Sequence, residues 1–444
     1  MTERIIITGA GLAGCLLAVQ LGQAGYEVRI LERRGDPRNK GEIGGRSINL
    51  AISERGLSAL DRAGLKENVL QGGVRMPGRM IHTASGSLFQ PYSRQSDRAI
   101  NSVSRSGLNF MLLEAAAALP NVTLAFNRPC TDVDPNRGTV TCVTPEGTQE
   151  EHTADLIVGA DGAYSAVRQV LQKLPPFDFS QEYLAHGYKE LTIPAVTEGP
   201  HAPYAIEPLA LHIWPHGGSM MIALPNLDGS FTCTLFWPYE GDHGFDALAQ
   251  ATPENIRAFF AKHYASAEPL MPSLEEDFSE NPTSPLVTIR CRPWSRGKAV
   301  LLGDAAHAIV PFYGQGANAA FEDCNALTDA LAAHQDDIPK ALAAFEAARI
   351  DNANAIADLA LMNFLEMRDH TGSKIHRLQK KGSQLLGKVI PFWWTPLYDM
   401  VSFSTIPYAT ALKKSQRQSF ILKLIGMYAI LVIALIMLWQ PFSH

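Results

Sequence analysis

A chain of 444 residues has room for about two to three domains, and 46% hydrophobic against 18% charged residues is a globular balance slightly enriched in apolar side chains. The formal net charge of −6 leaves no basic face, which argues against nucleic acid as a partner. Cysteines at 15, 130, 142, 233, 291 and 324 form no CxxC pair and the histidines no HExxH, so reduced thiols in a cytosolic setting are expected, with no disulfide framework and no metal.

Arg4–Thr8 reads as a short, fully buried parallel strand, and the chain enters it so early that no cleavable signal is expected. Gly9-Ala10-Gly11-Leu12-Ala13-Gly14 follows at once and opens a helical stretch through Gln23, with Gly25 ending it. Tyr26–Leu31 is the second strand, with Glu32 at its end. A GxGxxG motif in this strand–helix–strand setting, with its acidic residue, is a dinucleotide fingerprint. Gly9 permits the tight turn, Gly11 lets backbone approach a pyrophosphate, and Gly14 lets helix and strand pack closely. The helix N-terminus at Leu12 and Ala13 offsets phosphate charge, and Glu32 can bind ribose hydroxyls.

Arg46–Ile52 is strand- or loop-like, and Ser53–Ala63 reads helical. An alanine-rich helix over Leu108–Leu119 follows Ser104-Arg105-Ser106, and Val122–Phe126 and Thr139–Val143 look like strands. Asp155–Gly159 is another buried strand, running into Asp161-Gly162. A β-rich middle spans about 183–240, with alternation in Ala210–Trp214 and Phe231–Phe236.

The run Lys298–Leu302 then leads into Gly303-Asp304-Ala305-Ala306-His307 and on through Pro311-Phe312-Tyr313-Gly314-Gln315-Gly316-Ala317-Asn318 to an alanine-rich helix. Asp304 can accept hydrogen bonds from ribityl hydroxyls. The glycine-rich turn aims helix-start N–H groups at whatever lies above it, which suits a redox cofactor that becomes anionic when reduced, a flavin above all. His307 reads as a structural turn residue, and Asp161-Gly162 as at least a structural tie.

Residues 319–412 read as mainly helical, broken near Pro391 and Pro396. The uncharged run Leu424–Trp439, with Phe420–Leu422, approaches the ~20 residues a membrane span needs. Lys413, Lys414 and Arg417 precede it, so the expectation is a single C-terminal transmembrane helix in a lipid bilayer, with the catalytic part facing the cytoplasm.

The expected fold class is α/β: a Rossmann-like FAD-binding domain (1–75, 100–178 and 286–330) interleaved with a β-sheet substrate domain (76–99 and 179–285). A C-terminal helical region (331–412) and the anchor (420–440) follow. There is no second GxGxxG, so a nicotinamide co-substrate is expected to bind transiently.

The set Gly9–Gly14 with Glu32, Asp161-Gly162 and Gly303-Asp304 resembles the three-motif signature of aromatic-hydroxylase-type flavoprotein monooxygenases. Gly45–Ala51, His186–Leu191, Leu211–Pro215 and Phe231–Phe236 are similar to the kynurenine 3-monooxygenases within that group, over Arg4 to about Tyr408. The resemblance implies 3-hydroxylation of L-kynurenine with bound FAD, transient NADPH and O2, through a flavin C4a-hydroperoxide, in tryptophan degradation. It also implies that Arg79 and Tyr92 bind the substrate carboxylate and that Asn363 and Tyr398 lie at its amino-acid end. Glu366 and Met367 share the Asn363 helix face, and Leu211, Phe236, Pro311 and Phe312 form an apolar slot for the ring. For FAD it points to Glu32, Arg33, Ala51, Arg105, Asp161, Ala166, Asp304, Gly316, Ala317 and Asn318. Tyr313 and Ala317 depart from residues common in that family and flank the flavin loop. Another aromatic hydroxylase or reductase on the same scaffold, or a non-catalytic tethered flavoprotein, remain alternatives.

Overall fold

The computed structural model describes residues 3–40, 49–93, 98–335, 337–369 and 394–438. The chain divides into two compact units, Met1–Gly372 and Ser373–His444.

In the first unit a six-stranded sheet runs in the order Ser295–Arg296, Ala299–Leu301, Leu156–Gly159, Arg4–Thr8, Glu27–Leu31, Val122–Ala125. All its pairings are parallel except that of Ser295–Arg296 with Ala299–Leu301. Ile5, Ile6 and Ile7 are all buried because helices cover both faces of a parallel sheet, so a continuous β-branched run suits this strand better than alternation. The helix Leu12–Gln23 carries no charge and buries every residue from Gly14 to Gly22, the pattern of a helix enclosed on all sides. It ends where Gly25 takes φ +91°, a left-handed conformation that glycine adopts without strain.

The second large sheet has seven strands in the order Ser284–Arg292, Asp178–Ile193, Phe231–Pro238, Ser219–Pro225, Leu211–His216, Gly78–Thr83, Gly86–Pro91. Its pairings are antiparallel except between Leu211–His216 and Gly78–Thr83. Side chains alternate faces along a strand, and this sheet buries both. Phe231, Cys233, Leu235 and Trp237 point into one core with Phe259, Phe260 and Phe278 of the helices Pro253–His263 and Leu274–Glu280. Phe236, Met220 and Ile213 point the other way, into a smaller core with Val310, Phe312, Ala360 and Phe364. That second face carries the candidate site. The sequence reading located Thr139–Val143 and Phe231–Phe236 but not the strands Gly78–Thr83 and Gly86–Pro91, which are half-buried to exposed and lack a clean alternation.

In the second unit, helices cover Leu397–Ser402 and Tyr408–Leu438. The expectation of a transmembrane anchor is corrected here. Among the described residues no helix is long and apolar enough to cross a membrane. The last helix carries Lys413, Lys414, Arg417 and Lys423 among its 31 residues, so the apolar run occupies only part of it. The expected bilayer partner and membrane localisation therefore lose the helix on which they rested.

Candidate active site

The fingerprint loop leaves the first strand at Gly9, whose φ of +99° requires glycine. A Cβ on Gly14 would collide with the Gly9 carbonyl oxygen, so this helix can sit so close to the strand only with glycine there. A Cβ on Gly11 would meet nothing within 4 Å: this glycine faces open space. The helix that begins there has no side-chain cap and no acid in its first turn, so its leading N–H groups are left for an anion.

Glu32 is buried beside this loop. Its Oε2 accepts from the Ala10 N–H at 2.7 Å, and its Oε1 from the Arg34 N–H at 2.9 Å and Arg34 Nε at 2.8 Å. Burial alone would raise its pKa, but the hydrogen bonds from Arg34 and Ala10 outweigh that and hold the carboxyl below its ordinary range. Arg33 beside it is exposed.

Asp161 follows the strand Leu156–Gly159 and caps the helix Ala166–Leu171, its Oδ2 accepting from the Ala166 N–H at 2.7 Å and the Val167 N–H at 3.3 Å. The Ala166 amide is therefore engaged within the protein. Asp161 Oδ1 is buried without a hydrogen-bond partner, and burial pushes this carboxyl up. Such an orphaned buried acceptor suits a polar ligand.

Arg168, which the sequence reading missed, ties two motifs together. Its Nη2 donates to the Ala163 carbonyl at 2.6 Å and its Nη1 to the Ala305 carbonyl at 2.7 Å.

Asp304 is exposed at the turn after Ala299–Leu301, and Arg105 is exposed at the first position of the helix Arg105–Ala117. Gly316, Ala317 and Asn318 form the first turn of the helix Gly316–Ala333, another helix start with neither side-chain cap nor acid. The Asn318 side chain is fully buried and committed internally. Its Nδ2 donates to the Ala51 carbonyl at 2.9 Å and the Gly314 carbonyl at 2.8 Å, and its Oδ1 accepts from the Ser53 N–H at 3.0 Å. Asn318 and Ala51 thus have only backbone to offer a cofactor. These residues fit an FAD: an acid at the strand end, an open glycine cradle, two uncapped helix starts and an exposed Asp304.

The apolar slot assembles where the sheet meets the loop. The Phe236 and Phe312 rings are 5.0 Å apart, and those of Phe312 and Phe364 are 4.6 Å apart. Leu211, Tyr188 and Tyr313 pack against this cluster, while Pro311 is exposed at its lip. Asn363 donates from Nδ2 to the Phe312 carbonyl at 2.6 Å. Parallel pairing sets Arg79 opposite Leu211, and the Arg79 guanidinium lies 5.6 Å from the centroid of the Tyr92 ring.

The first unit therefore brings together Arg79, Tyr92, Leu211, Phe236, Phe312 and Asn363. Phe364 is an addition that its position next to Asn363 in the sequence could have flagged. The side chains of Glu366 and Met367 lie outside the described residues, as do Gly45–Ile48. Tyr398 belongs to the second unit, in Leu397–Ser402.

The parallel sheet, its glycine cradle and the adjoining slot define a flavin-dependent oxygenase architecture. The FAD binding domain family matches residues 2–360. A solved structure of 2-methyl-3-hydroxypyridine-5-carboxylic acid oxygenase superposes with a TM-score of 0.68, covering 84% of this chain and 94% of that one. At 22% identity that likeness is one of fold.

Sequence relatives are closer. Kynurenine 3-monooxygenase of Salinispora tropica is 45% identical over 96% of this chain and 93% of its own. That of Myxococcus xanthus is 45% identical over 92% and 88%, and that of Dictyostelium discoideum 44% over 93% and 91%. The chain belongs to the kynurenine 3-monooxygenase family of FAD-dependent monooxygenases.

Proposed function

We propose that this chain hydroxylates L-kynurenine at ring position 3, consuming NADPH and O2 on bound FAD. The observation that carries the reading is identity of 41–45% over more than nine-tenths of the chain to relatives that all bear this activity's name. Bound FAD supplies the electron transfer and the oxygen chemistry.

The protein's part is to bind, orient and exclude water. Arg79 offers the substrate carboxylate two parallel N–H donors, and the Tyr92 ring beneath the guanidinium limits its swing. Phe236, Phe312 and Leu211 flank the aromatic ring and keep the slot dry, so that substrate and flavin meet without bulk water. Asn363 serves the amino-acid end and also steadies the Phe312 carbonyl at the lip. The amides of Gly316–Asn318, at a helix start, favour negative charge on the reduced cofactor.

The test is anaerobic flavin reduction by NADPH with and without L-kynurenine, followed by aerobic turnover with product identified by mass. A product one oxygen heavier than kynurenine is expected. Faster NADPH oxidation without that product would make kynurenine an effector and overturn the reading.

A further inference from the structure

Behind the flavin loop lies a cluster of ionisable side chains that the proposed reaction does not use. Asp323, fully buried, accepts at Oδ2 from the Gly303 N–H at 3.1 Å and from His307 Nε2 at 2.5 Å, and at Oδ1 from Arg349 Nε at 2.6 Å. Arg349 also donates to Glu322 Oε2 at 3.1 Å and to the Ala319 carbonyl at 3.0 Å. Glu322 Oε1 accepts from Arg55 Nη1 at 2.6 Å, and the Arg55 side chain is fully buried.

We propose that Arg55, Glu322, Asp323 and Arg349 are positioning residues that hold the three FAD-facing segments in register and, through their charge balance, set the reduction potential of bound FAD. The inference rests on the FAD assignment.

The three segments are remote in sequence, and the cluster touches each of them. Asp323 grips Gly303, the residue before Asp304. Glu322 and Asp323 ride on the helix whose first turn is Gly316–Asn318. Arg55 lies in the helix Glu54–Arg62, directly after the strand that contains Ala51. Cohesion alone does not call for charge here, since well-packed apolar side chains of similar volume do as well or better than buried ion pairs. Among the described residues two guanidiniums face two carboxylates, with the His307 ring on one of them, and in a low-dielectric interior the loss of one charged member is felt at a distance. Reduction adds negative charge to the cofactor. Removing an acid therefore favours the reduced form and raises the potential, and removing a base lowers it.

The experiment compares purified holoprotein of wild type, Glu322→Gln and Arg55→Met by dye-coupled potentiometric titration and by FAD titration. Glu322→Gln is expected to shift the midpoint to more positive values and Arg55→Met to more negative values, each binding FAD at least threefold more weakly. A merely structural cluster would weaken FAD without this reversal of sign, so shifts in the same direction, or none, overturn the proposal. Should Arg55→Met fail to fold, Glu322→Gln is read against Glu322→Asp, which keeps the charge. A positive shift in the first alone supports the proposal, and equal potentials refute it. Wild-type protein that retains no FAD would instead sink the cofactor assignment.

Discussion

Gly11 and Gly14 stand three residues apart at the start of one helix, and their surroundings predict opposite failures. At Gly11 the backbone has φ −78° and ψ −176°, open to any residue, and an added Cβ meets nothing within 4 Å. Gly11→Ala should therefore cost the apoprotein at most about 1 kcal/mol, the difference in N-cap preference. The same methyl group enters the space a pyrophosphate would take. Losing one charge-assisted hydrogen bond there, worth about 1.5–3 kcal/mol, weakens FAD roughly 10- to 150-fold. At Gly14 the Cβ strikes the Gly9 carbonyl oxygen and lies 3.4 Å from Ile7 Cγ2. Gly14→Ala should thus destabilise the apoprotein itself by about 1–3 kcal/mol, the usual cost of overpacking. Urea denaturation of the apoproteins and FAD titration by flavin fluorescence separate the two. A Gly11→Ala variant with wild-type FAD affinity, or one that unfolds as readily as Gly14→Ala, would refute the reasoning.

Arg79→Ala should raise KM for L-kynurenine about 10- to 150-fold, the worth of a charge-assisted bond, with flavin content intact; unchanged KM would remove Arg79 from the carboxylate site. Asn363→Ala deletes the 2.6 Å bond to the Phe312 carbonyl, worth about 1 kcal/mol. Peroxide release per NADPH oxidised should rise as the lip loosens, and wild-type coupling would contradict that role. His82, His212 and His263 are each lowered to about 4, chiefly by burial. The unfolded chain takes up these protons first, near pH 6.5, so their contribution is complete above that pH and declines as pH falls towards 4. Urea midpoints should drop between pH 7 and pH 5, and less steeply in a His82→Gln/His212→Gln variant; parallel slopes would rule these histidines out.

The cofactor half of the site was legible because it is written in consecutive residues. Strand, glycine turn and helix occupy Arg4–Gln23 without interruption, and the reading of that helix ended where the structure ends it. The substrate half was not legible from pattern. Arg79, Tyr92 and Asn363 were named by resemblance, and nothing in the local sequence sets Arg79 beside Leu211 or Asn363 against the Phe312 carbonyl. The Glu322-Asp323 pair did leave a signal, two adjacent acids inside an alanine-rich helix, but not the identity of its partners.

The C-terminal run shows the limit of composition most plainly. A charge-free stretch reads as a membrane span, yet among the described residues no helix is long and apolar enough to cross a membrane. What the amino-acid order determined alone was local: where backbone must turn through positive φ, where a helix begins uncapped, where an acid ends a strand. These depend on neighbours a few residues away. The slot of Phe236, Phe312 and Phe364, the Arg168 bridge and the buried charge cluster were decided by tertiary structure. Their energies come from burial and from hydrogen bonds between segments up to 267 residues apart, which no local pattern encodes.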